Sequence, residues 1–158
     1  MGFLISDLCL TLDRFYTLRS GGAPGADSMF ESSSKRKEIY LPWKGFNGSD
    51  SDLFLESMEE KILEKSYSIA KKFHPRWNSL TPAAKKLMCR NTFQILGADL
   101  KTPSNFVVCW TPDGKISGGT GQAMRIARNL KIPIYNLHDR KSVDLIRNYV
   151  LMDNPLDI

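Results

Sequence analysis

The feature that most constrains the fold is a repeated order of strand-like run, glycine-rich turn and helical pattern. The first unit starts at the aromatic and β-branched run 15–18, passes through a glycine turn at Gly21–Asp27 and continues as a helix over 26–33. The second passes from the apolar run 106–110 to Gly118–Gly121 and then into another helical pattern. Strands that alternate with helices predict a parallel sheet with helices on both of its faces.

The rest of the chain continues this alternation. Thr81 and Pro82 are typical of a helix start, and Gly97 is typical of a helix end. The predicted fold class is therefore α/β, a Rossmann-like parallel sheet formed by a single domain over 1–158. The further predicted helices cover 4–14, 56–73, 81–96 and 142–151, and the further predicted strands cover 38–41 and 132–137.

Length and composition narrow the class of protein. A chain of 158 residues with a net charge of +5 suits one domain with a mild preference for anionic partners. Cys9, Cys89 and Cys109 are too widely spaced for a metal cluster or a disulfide framework, so we expect three buried free thiols, no metal and a cytoplasmic location. No apolar run approaches the ~20 residues of a membrane span, so no membrane partner is expected.

The first glycine turn (Gly21–Asp27) has the composition of an anion-binding loop. Glycine lets backbone N–H groups approach a phosphate, and the start of the following helix favours negative charge. Asp27 has two readings: it caps the helix, which is the more ordinary role, or it accepts a hydrogen bond from a ribose or a base. The expected ligand-binding residues of this segment are Ser20, Gly21, Gly22, Ala23, Gly25 and Asp27.

The second glycine turn (Gly118–Gly121) repeats this chemistry. Thr120 adds a hydroxyl to the backbone donors of Gly118, Gly119 and Gly121. Carboxyl ends of parallel strands meet at one edge of a sheet, so we expect the two turns to form one ligand site. Two further residues, one aromatic and one charged, are candidates for the same site. Trp110 either stacks on a base or packs in the core, and Arg90, in an apolar helical pattern, calls for a carboxylate or a ligand phosphate.

At these residues the chain resembles the SLOG superfamily of Rossmann-like nucleotide-binding proteins, which includes the DprA/Smf proteins and the LOG-type phosphoribohydrolases. Arg19–Asp27 and 118–123 carry the resemblance, and 39–46 and 90–97 resemble an uncharacterised, often phage-encoded branch. The resemblance implies a nucleotide, dinucleotide or ADP-ribose-like ligand.

Two departures from the SLOG pattern change what is expected. SLOG-type chains generally open with a strand, whereas here the pattern opens on a helix, so we expect the sheet to lack a central strand and the pocket to lack part of one wall. An exposed sheet edge pairs readily, which leads us to expect a homo-oligomer. LOG-type enzymes carry a catalytic glutamate in a glycine-rich motif; aligned from Ser117, the glutamate position holds Arg125 and the threonine position holds Gln122. We therefore do not expect LOG-type catalysis.

The leading hypothesis is a protein that senses, carries or sequesters a nucleotide-like ligand on the two glycine turns. One alternative is a nucleotide-processing hydrolase that uses Asp27 or another carboxylate, with catalytic residues left unknown. The other is DprA-like binding of single-stranded DNA. That function needs a continuous basic and aromatic groove, which the charge pattern of the sequence does not show.

Overall fold

The computed structural model describes the backbone of residues 2–116 and 118–152, with side chains over 5–116 and 118–149. Ser117, where the aligned LOG-type motif starts, lies outside the described residues, as do both ends of the predicted domain. The elements in chain order are α1 (Gly2–Leu12), β1 (Leu18–Ser20), α2 (Ala26–Ser33), β2 (Lys37–Ile39), α3 (Glu60–Phe73), α4 (Pro82–Leu96), β3 (Val107–Cys109), α5 (Gly118–Asn129), β4 (Ile134–Asn136) and α6 (Arg140–Met152).

This order confirms the predicted α/β class, and two helices match their predicted bounds. α4 begins where Thr81 accepts a hydrogen bond from the Ala84 N–H at 3.2 Å, and Gly97 ends it. α2 covers the predicted residues 26–33. For α4, local capping chemistry is therefore sufficient to define both helix ends.

Two other elements start later than predicted. β1 begins at Leu18 rather than Phe15, because α1 closes with hydrogen bonds from the Phe15 and Tyr16 N–H groups to the carbonyl of Leu12. α3 begins at Glu60 rather than at residue 56. A separate 3-10 turn occupies Leu55–Ser57, and the chain returns to an extended conformation before α3 starts.

The strands form two parallel pairs rather than one continuous sheet. β1 pairs with β2 in the register Leu18 to Lys37, and β3 pairs with β4 in the register Val107 to Ile134. No strand of the described residues joins the two pairs. The parallel direction was predicted correctly, and a sheet without a central strand was expected.

Helices pack on both faces of these strands and produce two apolar clusters. One cluster joins α3, α4 and α5 around the buried side chains of Phe93 and Ile126. The other joins α1, α2 and α6 around Ile5, Phe30 and Ile146. The three cysteines are buried and unpaired, as predicted. Among the described residues, no helix combines the length and the apolar character needed to cross a membrane.

Candidate functional site

A cavity of about 760 Å³ lies between the two strand pairs, and residues of both β1 and β3 line it. It brings both glycine turns to one site. Gly21, Gly22, Gly118 and Gly121, also predicted as ligand-binding, do not line it. The predicted residues that do are Ser20, Ala23, Gly25, Asp27, Trp110, Gly119 and Thr120.

The backbone donors of the first glycine turn are occupied by carboxylates of the chain itself. The N–H groups of Gly21 and Ala23 both donate to Asp27 Oδ2 at 3.2 Å. The Gly22 N–H and the Ser20 hydroxyl donate to Glu31 Oε1 at 3.0 and 2.5 Å. The hydrogen-bond donors of this turn are therefore already occupied by two carboxylates of α2, those of Asp27 and Glu31.

Asp27 does not cap α2, which corrects the more ordinary of its two predicted roles. The N-cap of α2 is Gly25, and no side chain accepts a hydrogen bond from the start of this helix. Asp27 instead closes the preceding turn, while about a third of its side chain stays exposed, 31%. Its carboxylate therefore keeps an accessible edge beside the cavity.

Arg90 of α4 balances these carboxylates from beneath the turn. Its residue exposure is 5%, its Nη1 donates to the Gly21 carbonyl, and the same atom lies 3.9 Å from Asp27 Oδ2. Burial lowers the pKa of the Arg90 guanidinium, and the charges of Asp27 and Glu31 oppose that shift. The Nε of Arg90 is buried and makes no hydrogen bond with any described residue. The predicted anionic partner of Arg90 is thus a pair of carboxylates, with one donor left over.

The packing of Arg90 also explains why residue 21 is a glycine. A Cβ at this position would collide with the guanidinium, so no larger residue fits unless Arg90 moves. Gly22 has a positive φ of 67°, and a Cβ there would approach Leu41 Cδ2 at 2.7 Å. Both glycines are therefore required by packing and backbone conformation, independently of any ligand.

The second glycine turn is the first turn of α5 rather than a loop that precedes it. Gly118 opens the helix with a φ of 59°, and Asn91 Nδ2 donates to the Gly119 carbonyl at 2.8 Å, which ties α5 to α4. The first N–H groups of a helix have no partner within it. The N–H groups of Gly119 and Thr120 have no acceptor among the described residues, and both residues line the cavity.

The two positions aligned with LOG-type catalysis point to α3 and do not line the cavity. Arg125 Nε donates to the Phe73 carbonyl at 2.8 Å, and its Nη2 donates to Gln122 Oε1 at 2.9 Å. Gln122 Nε2 in turn donates to the Ala70 carbonyl at 2.9 Å. Both side chains therefore bind the last turn of α3 and supply no group to the cavity.

Glu31 and Asn91 are site residues that were not predicted. A signal for Glu31 was present, since Asp27 and Glu31 are four residues apart and four residues place two side chains on one helix face. Asn91 follows Arg90 directly, and its bond to Gly119 spans 28 residues, so no local pattern predicts it. Among the described residues, no group of three or more acidic, histidine or cysteine side chains could hold a metal ion.

The arrangement thus has two chemically different ends. Backbone donors at the start of α5 suit an anion, while the exposed edge of Asp27 suits a hydroxyl or amino group. Trp110 lines the same cavity and offers a flat apolar surface. No family model, no curated protein and no solved structure matches this chain.

Proposed function

We propose that the chain binds a nucleotide or a nucleotide-derived phosphate compound of the ADP-ribose type, as a SLOG-type domain would. The observation that carries the proposal is the single cavity onto which unused backbone donors of α5 and the accessible carboxylate of Asp27 both open. A nucleotide carries the complementary pair of groups, a phosphate and hydroxyl or amino donors.

The phosphate belongs at the second glycine turn. The N–H groups of Gly119 and Thr120 and the positive end of the α5 dipole favour an anion there. The first glycine turn disfavours one, because Asp27 and Glu31 already fill its donors and repel a further negative charge. Arg90 also lines the cavity, but its guanidinium lies against the first glycine turn, where Asp27 and Glu31 already offset its charge.

The nucleoside belongs at the first glycine turn. The exposed edge of Asp27 accepts hydrogen bonds from ribose hydroxyls or a base amino group. Trp110 lies in the cavity wall, where its ring stacks on a base. In this binding mode the carboxylates accept hydrogen bonds from neutral groups of the nucleoside, and α5 makes every contact with the phosphate.

Thermal unfolding in the presence of AMP, ADP, NAD and ADP-ribose tests the proposal, with adenosine and inorganic phosphate as partial ligands. A ligand that binds only the folded state raises the unfolding temperature with its concentration. We expect at least one phosphorylated compound to produce a concentration-dependent rise, and adenosine or phosphate alone to produce a smaller one. If none of these nucleotides raises the unfolding temperature, the proposal is wrong.

Gly119→Val tests the phosphate position, because a branched side chain at Gly119 stands beside the donors of α5. Ala83→Val is the matched control: it adds the same side chain in the first turn of α4, where Ala83 is exposed and does not line the cavity. We expect Gly119→Val to abolish the nucleotide-induced rise and Ala83→Val to keep it. An undiminished rise in a folded Gly119→Val variant shows that the phosphate binds elsewhere.

Chromatography of the same incubations separates binding from turnover. Recovery of unchanged nucleotide supports a binding protein. If instead a product forms with the unmodified chain and does not form with Asp27→Asn, the protein is a hydrolase and the proposal is wrong. Salt-sensitive binding of single-stranded DNA without any nucleotide effect replaces it by the third hypothesis.

A further inference from the structure

Two long stretches of the chain, 65–98 and 114–138, contain no aspartate or glutamate. They include the larger, carboxyl-terminal part of α3 and the whole of α4 and α5, and these three helices pack against one another. The segment 50–64 that precedes them is the opposite, since it contains six carboxylates. Folding therefore joins two stretches without acidic residues into one region of the protein.

Contacts around the end of α3 bring cations of this region together. Lys72 Nζ lies 5.4 Å from the centroid of the Phe73 ring, and Arg125 Nε donates to the Phe73 carbonyl at 2.8 Å. The Arg76 N–H donates to His74 Nδ1 at 3.2 Å. Burial lowers the pKa of the His74 imidazole, and the positive charges of Arg125 and Arg76 lower it further. The end of α3 is therefore a site of positive potential.

Two further cations, on α4 and α5, extend this group. Lys85 Nζ lies 5.6 Å from the centroid of the Trp77 ring, which is itself 6.5 Å from the His74 ring. Arg128 follows Arg125 by three residues, and such residues are neighbours on the surface of a helix. We call this group the cationic face, and its exposed or partly exposed members are Lys72, Arg76, Lys85, Arg125 and Arg128.

The charges of the cationic face are not compensated within the protein. No carboxylate of the described residues forms an ion pair with any of its five members. The other two cations of α4 differ, since Lys86 pairs with Glu56 and Arg90 lies 3.9 Å from Asp27. The cationic face therefore leaves its charge available to an external anion.

Lys85 stands where a cation disfavours the helix. α4 begins at Pro82, so Lys85 follows within about one turn, and the first turn contains no acidic residue. The positive end of the helix dipole lies there and repels a cation. The stability of α4 therefore does not explain Lys85, whereas an anionic partner does.

From these charges we propose that the cationic face binds a short acidic segment of a partner protein. The carboxylates of such a segment would supply the partners that the five cations lack. The inference goes beyond nucleotide binding and does not rest on it, since no member of the cationic face lines the cavity.

Nucleic acid fits the cationic face less well than a short peptide. Single strands bind by stacking bases on aromatic rings, whereas Lys72 and Lys85 already lie over the rings of Phe73 and Trp77. A duplex carries charge along its whole length. Glu64 precedes Lys72 by about 12 Å on the same helix, so a duplex along α3 meets its repulsion. A short peptide ends before it reaches this carboxylate.

Fluorescence anisotropy with the labelled peptide Glu-Glu-Asp-Leu-Glu-Glu-Asp-Leu tests the proposal. The same peptide with glutamine and asparagine in place of its acids measures binding that does not depend on charge. Lys72→Glu/Lys85→Glu reverses two charges of the cationic face. The matched control Lys101→Glu/Lys141→Glu reverses two exposed lysines that belong neither to this face nor to the cavity wall, so both variants have the same net charge.

We expect the unmodified chain and the control variant to bind the acidic peptide, and Lys72→Glu/Lys85→Glu to bind it at least about tenfold more weakly. Raising the salt concentration from about 50 to about 300 mM should weaken binding by the unmodified chain, because salt screens exposed charges. The unfolding temperature of each variant without peptide reports that it is folded.

The inference is wrong if the unmodified chain does not bind the acidic peptide, if both variants bind it equally, or if the neutral peptide binds as tightly. Tighter binding of single-stranded or duplex DNA than of the peptide would make nucleic acid the partner and also overturn it. Gly119→Val should keep its affinity for the peptide. A loss there would place the peptide at the second glycine turn rather than on the cationic face.

Discussion

The two glycine turns have similar sequences and opposite roles in the structure. In the first, Gly21–Asp27, the N–H groups of residues 21–23 donate to Asp27 and Glu31, and Arg90 lies against the backbone. In the second, Gly118–Gly121, the residues form a helix start whose N–H groups at Gly119 and Thr120 have no acceptor among the described residues. A glycine-rich turn after a strand therefore predicts that another group packs closely against its backbone. The neighbouring side chains decide whether that group belongs to the protein itself or to a ligand.

The difference matters for function because it separates structural glycines from candidate ligand glycines. Charge within the first glycine turn is already compensated by Arg90, so further anions gain little there. At the second glycine turn the helix dipole and its free donors remain unused. Each of the following measurements tests this contrast, starting with the largest expected effect.

Arg90→Ala should produce the largest loss of stability, about 3–5 kcal/mol, because it leaves two carboxylates without their buried cation. Equilibrium urea unfolding gives the value. Lys86→Ala is the matched control on the same helix: Lys86 pairs with Glu56 at the surface, so its loss should cost at most about 1 kcal/mol. Equal costs for the two variants would mean that Arg90 does not hold the first glycine turn together.

Alanine should destabilise the protein at Gly21 but not at Gly119. Gly21→Ala places a Cβ against Arg90 and should destabilise the protein by about 1–3 kcal/mol. At Gly119 the nearest atom to a Cβ is Asn91 Nδ2 at 3.8 Å, so alanine should be neutral or stabilise the helix by up to about 1 kcal/mol. The Gly21→Ala cost should shrink in an Arg90→Ala background, and a cost that stays unchanged would contradict the proposed collision.

Asn91→Ala should cost about 1 kcal/mol, because it removes the donor to the Gly119 carbonyl at the start of α5. It should also reduce the nucleotide-induced rise in unfolding temperature, since the position of the second glycine turn is no longer held by α4. Gln94→Ala is the control, as Gln94 lies one turn further along α4 and also lines the cavity. If the nucleotide-induced rise in unfolding temperature is smaller in Gln94→Ala than in Asn91→Ala, Gln94 rather than Asn91 supports ligand binding.

Thiol labelling should detect the opening of the cavity between the two strand pairs without any substitution in the chain. Burial raises the pKa of Cys9 and Cys109 to about 11 and that of Cys89 to about 12, so all three thiols are protonated and slow to react at pH 8. Labelling by iodoacetamide, followed by mass spectrometry, should accelerate as the pH rises towards 11. Cys9 and Cys109 line the cavity and should react before Cys89, and the reverse order would place the opening elsewhere.

Much of the fold was predictable because its signals are local. The ends of α4 follow from Thr81, Pro82 and Gly97, and the parallel direction of the strands follows from their alternation with helices. The starts of β1 and α3 were misjudged, since turns with their own hydrogen bonds replaced regular structure at Phe15 and at Leu55–Ser57. Apolar or aromatic content alone does not distinguish such a turn from the element beside it.

The candidate site was only partly predictable. Seven of the eleven predicted ligand residues line one cavity, which follows from the rule that parallel strands end at the same edge. The filling of the first glycine turn was not predicted. It depends on Arg90, which is 69 residues from Gly21 along the chain.

The sequence by itself determined the bounds of α2 and α4, the direction of the strands and the positions of both glycine turns, because these depend on neighbours within a few residues. Only the tertiary structure decided that the first glycine turn holds the carboxylates of α2 while the second keeps unused donors. It also decided which strands pair, in which register, and that a cavity lies between the two pairs. The physical reason is that buried charge pairing and strand pairing depend on groups brought together by folding, whose positions no local pattern encodes.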